Sequence, residues 1–140
     1  MMRDPQVTIG NLIDNQKTAF LGSVDEEGFP NMKAMLAPRI REGIKTFYFT
    51  TNTSSKRVRQ FKENPKACLY FCDKRFFRGV MLIGTVEILE DDASRELIWQ
   101  EGDTMYYPLG VHDPDYCVLR VTVHKGRYYS KFQSEDFEII

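Results

Sequence analysis

Two runs in the chain, CLYFC (Cys68 to Cys72) and VMLI (Val80 to Ile83), are apolar at successive positions over a length that suits a strand rather than a helix. Consecutive side chains of a strand point to opposite faces. A strand apolar on both faces therefore needs a core on one side and a cover on the other. The neighbouring stretches are similar. TAFLGSV, NMKAMLAPRI, KTFYFT, KACLYFCD, RGVMLIGTVEIL, YCVLRVTV and RYYSKF read as strands, and DEEGFP, REG and HKG read as turns between them. Gly84, inside the long fifth strand, marks a bulge or bend. Six or seven antiparallel strands in short succession imply a mainly β fold, a closed or nearly closed barrel that leaves few exposed strand edges. The barrel core buries one face of each strand. A second copy of the chain is the simplest cover for the other, so a homodimer is expected.

Short helices flank these strands. Asp4 followed by Pro5 is a cap and a first-turn proline, and Ile9, Leu12 and Ile13 supply the apolar stripe of a helix ending near Asn15. A second helix runs from Ser55 to Glu63 and must stop before Pro65. Asp91 or Asp92 caps a third, ASRELIWQ. There are no internal repeats, low-complexity runs or linkers, so residues 1–140 are expected to form one domain. A formal net charge of −1 argues against a general nucleic-acid or membrane-surface binder. No apolar window is long enough to span a bilayer, and MMRDPQVTIG lacks the apolar core of a signal peptide; a cytoplasmic location is expected. Cys68, Cys72 and Cys117 are odd in number and lie in apolar runs, which reads as free, buried thiols of a reducing compartment. The Cys68–Cys72 spacing is not CxxC and no second pair exists, so no metal site is expected.

The segment FYFTTNTSSKRVRQFKENP (Phe47 to Pro65) poses a problem. Its helix carries Lys56 and Arg57 in the first turn, with Arg59 close behind, where the positive end of the helix dipole disfavours cations. One explanation is a solvated charged face, with Val58 and Phe61 turned inward. The other is an anion site: free N–H groups at the helix start, hydroxyls at Thr51, Thr53, Ser54 and Ser55, and the charges of Lys56 and Arg57. A P-loop is excluded, because there is no glycine-rich GxxxxGK run.

FTTNTSSKRVRQFKENPKACLYF resembles the flavin-phosphate segment of the pyridoxamine 5′-phosphate oxidase family, with Thr51-Asn52, Ser55-Lys56-Arg57 and Asn64-Pro65 in register. GFPNMKAML is similar to the family's Gly-x-Pro turn and the strand that carries a basic residue, here Lys33. YYPLGVHDPDYCVLRV and RYY resemble the smaller bacterial members related to general stress protein 26. The likeness extends from Gly22 to Tyr129. It implies a split β-barrel that binds FMN at a homodimer interface. It further implies that Ser55, Lys56 and Arg57 hold the phosphate with Thr51 beside it, and that Lys33 reaches the phosphate or the ribityl chain. The backbone of Ala34 and Met35, with Phe49 and Thr50, would border the isoalloxazine ring. Strand alternation puts Lys33 and Met35 on one face and Ala34 on the other, so Ala34 can offer backbone alone. Tyr129 takes either a flavin-edge role or, with Tyr128, one of strand packing.

The chain also departs from the oxidases. Their Arg-Gln pair on the long strand has Gly79 at the Gln position, and RYYSKF stands where they carry a C-terminal Trp and Arg. Full pyridoxamine 5′-phosphate oxidase activity is therefore not expected. Trp99 reads as a core or dimer contact. His112 and His124 read as exposed, in a loop and a turn, with no acid–base constellation around them. The expected function is an FMN-dependent oxidoreductase with a small-molecule electron donor or acceptor. The alternatives are a non-catalytic flavin carrier or stress-related redox sensor, or a relative that binds haem or a deazaflavin.

Overall fold

Local chemistry sets where each element starts and stops. In the computed structural model, which describes residues 2 and 4–139, Asp4 caps the first helix by accepting from the N–H of Gln6, and Pro5 opens it. The order is α1 (Pro5–Asp14), β1 (Thr18–Val24), β2 (Pro30–Leu36), β3 (Ile40–Glu42), β4 (Thr46–Asn52), α2 (Lys56–Glu63), β5 (Lys66–Asp73), β6 (Arg78–Leu89), α3 (Asp92–Ile98), a 3₁₀ turn (Asp103–Met105), β7 (Tyr116–Ser130) and β8 (Gln133–Glu138). One eight-stranded sheet runs β2-β1-β5-β6-β7-β4-β3, with β8 added to β7, and every pairing is antiparallel. The fold is thus the mainly β split barrel with short flanking helices.

Residues at alternate positions fill the barrel. Leu21, Phe47, Phe49, Leu69, Phe71 and Leu82 are fully or almost fully buried together, capped by Ile9, Leu12 and Ile13 of α1 and by Val58 and Phe61 of α2. The β6–β7 register shifts between Ile83 and Gly84, where β7 carries one extra residue, His124. A Cβ on Gly84 would lie 1.9 Å from the Thr122 carbonyl oxygen, so only glycine fits there.

Three boundaries differ from the expected ones. NMKAMLAPRI is two strands: the backbone turns away at Ala37 and Pro38, and β3 then pairs with β4 instead of β1. HKG is no turn, because β7 runs through it without a break. The real hairpin sits at Lys131 and Phe132, both in the left-handed region (φ 52° and 65°), and returns the chain as β8. Such a turn normally advertises itself with Asn or Gly. Lys-Phe carries no such signal, so nothing local announces β8.

The outer sheet faces are covered unequally. Over β4 and β7, the chain supplies its own cover: Tyr48, Tyr116 and Val118 pack under Ile98 and Tyr107 in a second cluster. Trp99 joins it, with its ring 5.3 Å from that of Tyr116. Arg39 locks this cover through two hydrogen bonds to the buried carboxylate of Asp103 (2.8 and 2.9 Å) and one to the Ile98 carbonyl (3.0 Å). Among the described residues no such lid lies over β1, β2, β5 and β6. Cys68, Tyr70, Cys72, Met81 and Ile83 are half-buried there, and Phe20, Met32 and Leu36 are exposed. Of the three cysteines, only Cys117 is fully buried, and burial pushes its thiol to a pKa of about 12.

Candidate functional site

Alternation along β4 divides its residues. Phe47, Phe49 and Thr51 turn into the barrel and are buried. Tyr48 and Thr50 face the aromatic cover, where burial raises the Tyr107 hydroxyl pKa and a hydrogen bond with Thr50 opposes the rise. Phe49 and Thr51 therefore share a side that the Thr50 side chain does not.

β4 passes through Thr53 and Ser54 into α2. Ser55 caps the helix, its hydroxyl accepting from the N–H of Val58 at 3.3 Å. The first intrahelical bond, from the Arg59 N–H to the Ser55 carbonyl (3.4 Å), leaves the N–H groups of Lys56 and Arg57 without an intrahelical acceptor. Ser55 still has its hydroxyl proton to donate. Lys56 is exposed and Arg57 half-buried. The Nε of Arg57 is buried and has no hydrogen-bond partner among the described residues. A buried, unpartnered guanidinium nitrogen is costly, and the Arg95 Nε is in the same state. Val58 and Phe61 are buried as the solvated-face reading requires, but Arg57 is not simply solvated.

Two of the four candidate hydroxyl residues bond to Asp115. Thr53 donates its hydroxyl to Asp115 (2.9 Å), and Ser54 donates its backbone N–H to the same oxygen (2.9 Å). The Asn52 amide donates to the other oxygen at 2.7 Å. The Asn52 bond, ahead of the rest, holds the Asp115 carboxyl at a pKa of about 2.

Lys33 and Met35 on β2 stand opposite Leu21 and Ala19, both barrel-facing, while Ala34 stands opposite Phe20 on the outer face. Gln60 of α2 accepts from the Ser23 hydroxyl and donates to Asn31 (3.4 Å), so α2 is anchored to the face of β2 that carries Lys33. Lys33 is exposed.

Tyr129 is elsewhere. It stands opposite Gly79 near the end of β7, whereas Asn52 pairs with Tyr116 at the beginning. That separation is roughly 40 Å of strand, which sets Tyr129 far along β7 from the α2 start. Its ring meets Phe77 edge-on at 6.1 Å. Tyr128, on the opposite face, is buried in the barrel core.

Sequence reasoning passed over two residues here. A Cβ on Gly79 would lie 2.3 Å from the hydroxyl oxygen of Tyr70, so the Tyr70 phenol fills the space over that bare backbone. The pairing is across strands and has no local signature. Asp115 carries no local mark of its partners either, although Asp-Pro-Asp is rich in turn-forming acceptors. His112 is exposed beside Asp92 (3.1 Å), and His124 is exposed on β7 rather than in a turn. Among the described residues no helix is long and apolar enough to cross a membrane.

The family model described as pyridoxamine 5′-phosphate oxidase matches residues 8–130. A pyridoxine/pyridoxamine 5′-phosphate oxidase of Legionella pneumophila is 33% identical over 81 residues, which are 57% of this chain and 37% of that protein. The match thus spans little more than a third of that curated relative's length. A crystal structure from Clostridium acetobutylicum, of a protein related to general stress protein 26 of B. subtilis, superposes with a TM-score of 0.90 at 41% identity, covering 99% of this chain and 97% of that one. A haem-binding protein from Mycobacterium smegmatis shares the fold (TM-score 0.78, 15% identity, covering 99% of this chain and 59% of that one). With the model spanning most of the chain and the Clostridium structure matching it end to end, the chain belongs to the pyridoxamine 5′-phosphate oxidase family.

Proposed function

We propose that this chain is a cytosolic, homodimeric FMN-binding protein and a flavin-dependent oxidoreductase with a small-molecule electron donor or acceptor. The observation that carries the reading is the start of α2, where cations oppose the helix dipole and the Arg57 Nε is buried without a partner. The residues present fit a phosphate group. The Ser55 hydroxyl, the first-turn N–H groups, Lys56 and Arg57 would hold it, Lys33 would approach from β2, and Thr51 would lie beside it. The backbone of Ala34, Met35 and Thr50, together with Phe49, would border the ring. When bound, FMN supplies the electron chemistry, and the protein's part is binding, orientation and exclusion of water. The uncovered apolar face around Phe20, Met32 and Leu36 supports a second copy as its cover. A flavin-edge role for Tyr129 would require that dimer to bring it to the other chain's site. With the Tyr70 phenol over Gly79, little turnover of pyridoxamine 5′-phosphate is expected.

The haem alternative draws on the haem-binding fold neighbour. Against it, His112 is paired with Asp92 (3.1 Å) and His124 is exposed on β7. The test is a titration of FMN and riboflavin against wild type and a Lys56→Ala, Arg57→Ala variant. Loss of two charge-assisted hydrogen bonds, about 1.5–3 kcal/mol each, should weaken FMN binding and leave riboflavin binding unchanged. Equal FMN affinity in both proteins would sink the phosphate site. A Soret band in place of the two-band flavin spectrum would decide for haem, and absence of turnover with any nicotinamide donor would decide for a carrier.

A further inference from the structure

The loop ahead of β7 holds a carboxylate that the flavin reading leaves without a role. Asp115 accepts from the Asn52 amide (2.7 Å), the Thr53 hydroxyl (2.9 Å) and the Ser54 N–H (2.9 Å), and its carbonyl accepts from the Thr53 N–H (2.9 Å). These bonds end one residue before Ser55, the cap of α2. Asp115 is itself held in place. Its N–H donates to the buried carboxylate of Asp113 (2.9 Å), whose other oxygen accepts from the Leu109 N–H (3.0 Å).

An ionised carboxylate so near an anion site would ordinarily compete with the anion for donors and repel it. Here its lone pairs are occupied by three donors of the β4–α2 turn, so it acts on the backbone. Among the described residues the Thr53 hydroxyl has one other partner, the Pro114 carbonyl (3.2 Å) on the same loop. Without the Asp115 carboxylate the turn from Asn52 to Ser54 would lose three of its bonds and keep those to the Asp115 and Pro114 carbonyls. Charged hydrogen bonds weaken steeply when donors are misplaced, so the loss would reach the helix start next door.

We propose that Asp115 is a positioning residue for the phosphate site, fixing the Asn52–Ser54 turn so that Ser55, Lys56 and Arg57 are pre-arranged for a flavin phosphate. The proposal rests on the FMN reading above. Its test compares FMN and riboflavin affinities of wild type, Asp115→Ala and Asp115→Asn. Asp115→Ala should weaken FMN roughly ten- to a hundredfold, the equivalent of one charge-assisted hydrogen bond, with riboflavin changed by less than about twofold. Asp115→Asn should recover most of the loss, because it keeps one acceptor oxygen for Thr53 and Ser54, and Asn52 can flip its amide to match the new group. Unchanged FMN affinity in Asp115→Ala, or a parallel loss of both flavins, overturns the proposal. If Asp115→Ala does not fold, Asn52→Ala removes one of the same bonds and should lower the FMN-to-riboflavin affinity ratio about three- to tenfold; an unchanged ratio there also overturns it. A wild-type protein that binds FMN no better than riboflavin overturns the flavin reading itself, and this proposal with it. Discrimination by wild type that survives in the variants overturns the proposal alone.

Discussion

At the scale of single residues, two glycines of β6 make opposite predictions from similar-looking crowding. A Cβ on Gly84 would strike the Thr122 carbonyl at 1.9 Å, and backbone on both sides of the bulge has nowhere to go. A Cβ on Gly79 would strike the tip of Tyr70, a half-buried side chain on the open face that can swing outward. Gly84→Ala should therefore cost about 3 kcal/mol or more, and Gly79→Ala about 1 kcal/mol or less, measured by chemical denaturation of the apo protein. Equal costs would mean that Tyr70 is pinned in place.

At the scale of elements, the cover formed by α3 and the following loop depends on a buried ion pair. Asp103 receives two hydrogen bonds from Arg39 and one from the Gln100 N–H (2.9 Å), and Arg39, first among these, holds its carboxyl below the usual carboxylate range. A depressed folded-state pKa contributes stability that is complete above the unfolded value, about 3.9, and is lost as pH falls through the folded value. Asp103→Ala would strand Arg39 in a buried position, at a cost of about 3–5 kcal/mol near neutral pH. The gap between wild type and variant should narrow as the pH drops below about 4, because wild type then loses the same contribution. Denaturation curves at pH 7 and pH 3 check this, and a gap that stays constant would place the stabilisation in packing alone.

At the scale of the whole molecule, the question is what covers the face over β1, β2, β5 and β6. Met32 is 65% exposed, so Met32→Asp removes little from a single chain. It should nevertheless abolish the proposed dimer, because a carboxylate buried between apolar strands has no partner there. Light scattering should show a dimer for wild type and a monomer for Met32→Asp, with FMN affinity falling in parallel if both chains build the site. A wild-type monomer that binds FMN at full occupancy would refute both the dimer and the shared site.

The sequence alone determined what depends on local chemistry. Apolar alternation marked the strands, Asp4-Pro5 and Ser55 marked helix starts, and the cations of α2 marked an anomaly at a helix N-terminus. Each of these signals is carried within a few residues of the feature it predicts. Tertiary structure decided the rest, because the deciding partners are distant in sequence. Asn52 and Asp115 are 63 positions apart, and Arg39 and Asp103 are 64. Tyr70 fills the space over Gly79 only because the β5–β6 register sets them diagonally across the sheet. β8 depends on a turn at Lys131 and Phe132, whose left-handed backbone is held by strand pairing and not by the residues' own preference. A chain can announce where its backbone turns and which faces are apolar; which side chains then meet across the barrel is settled only when the strands find their register.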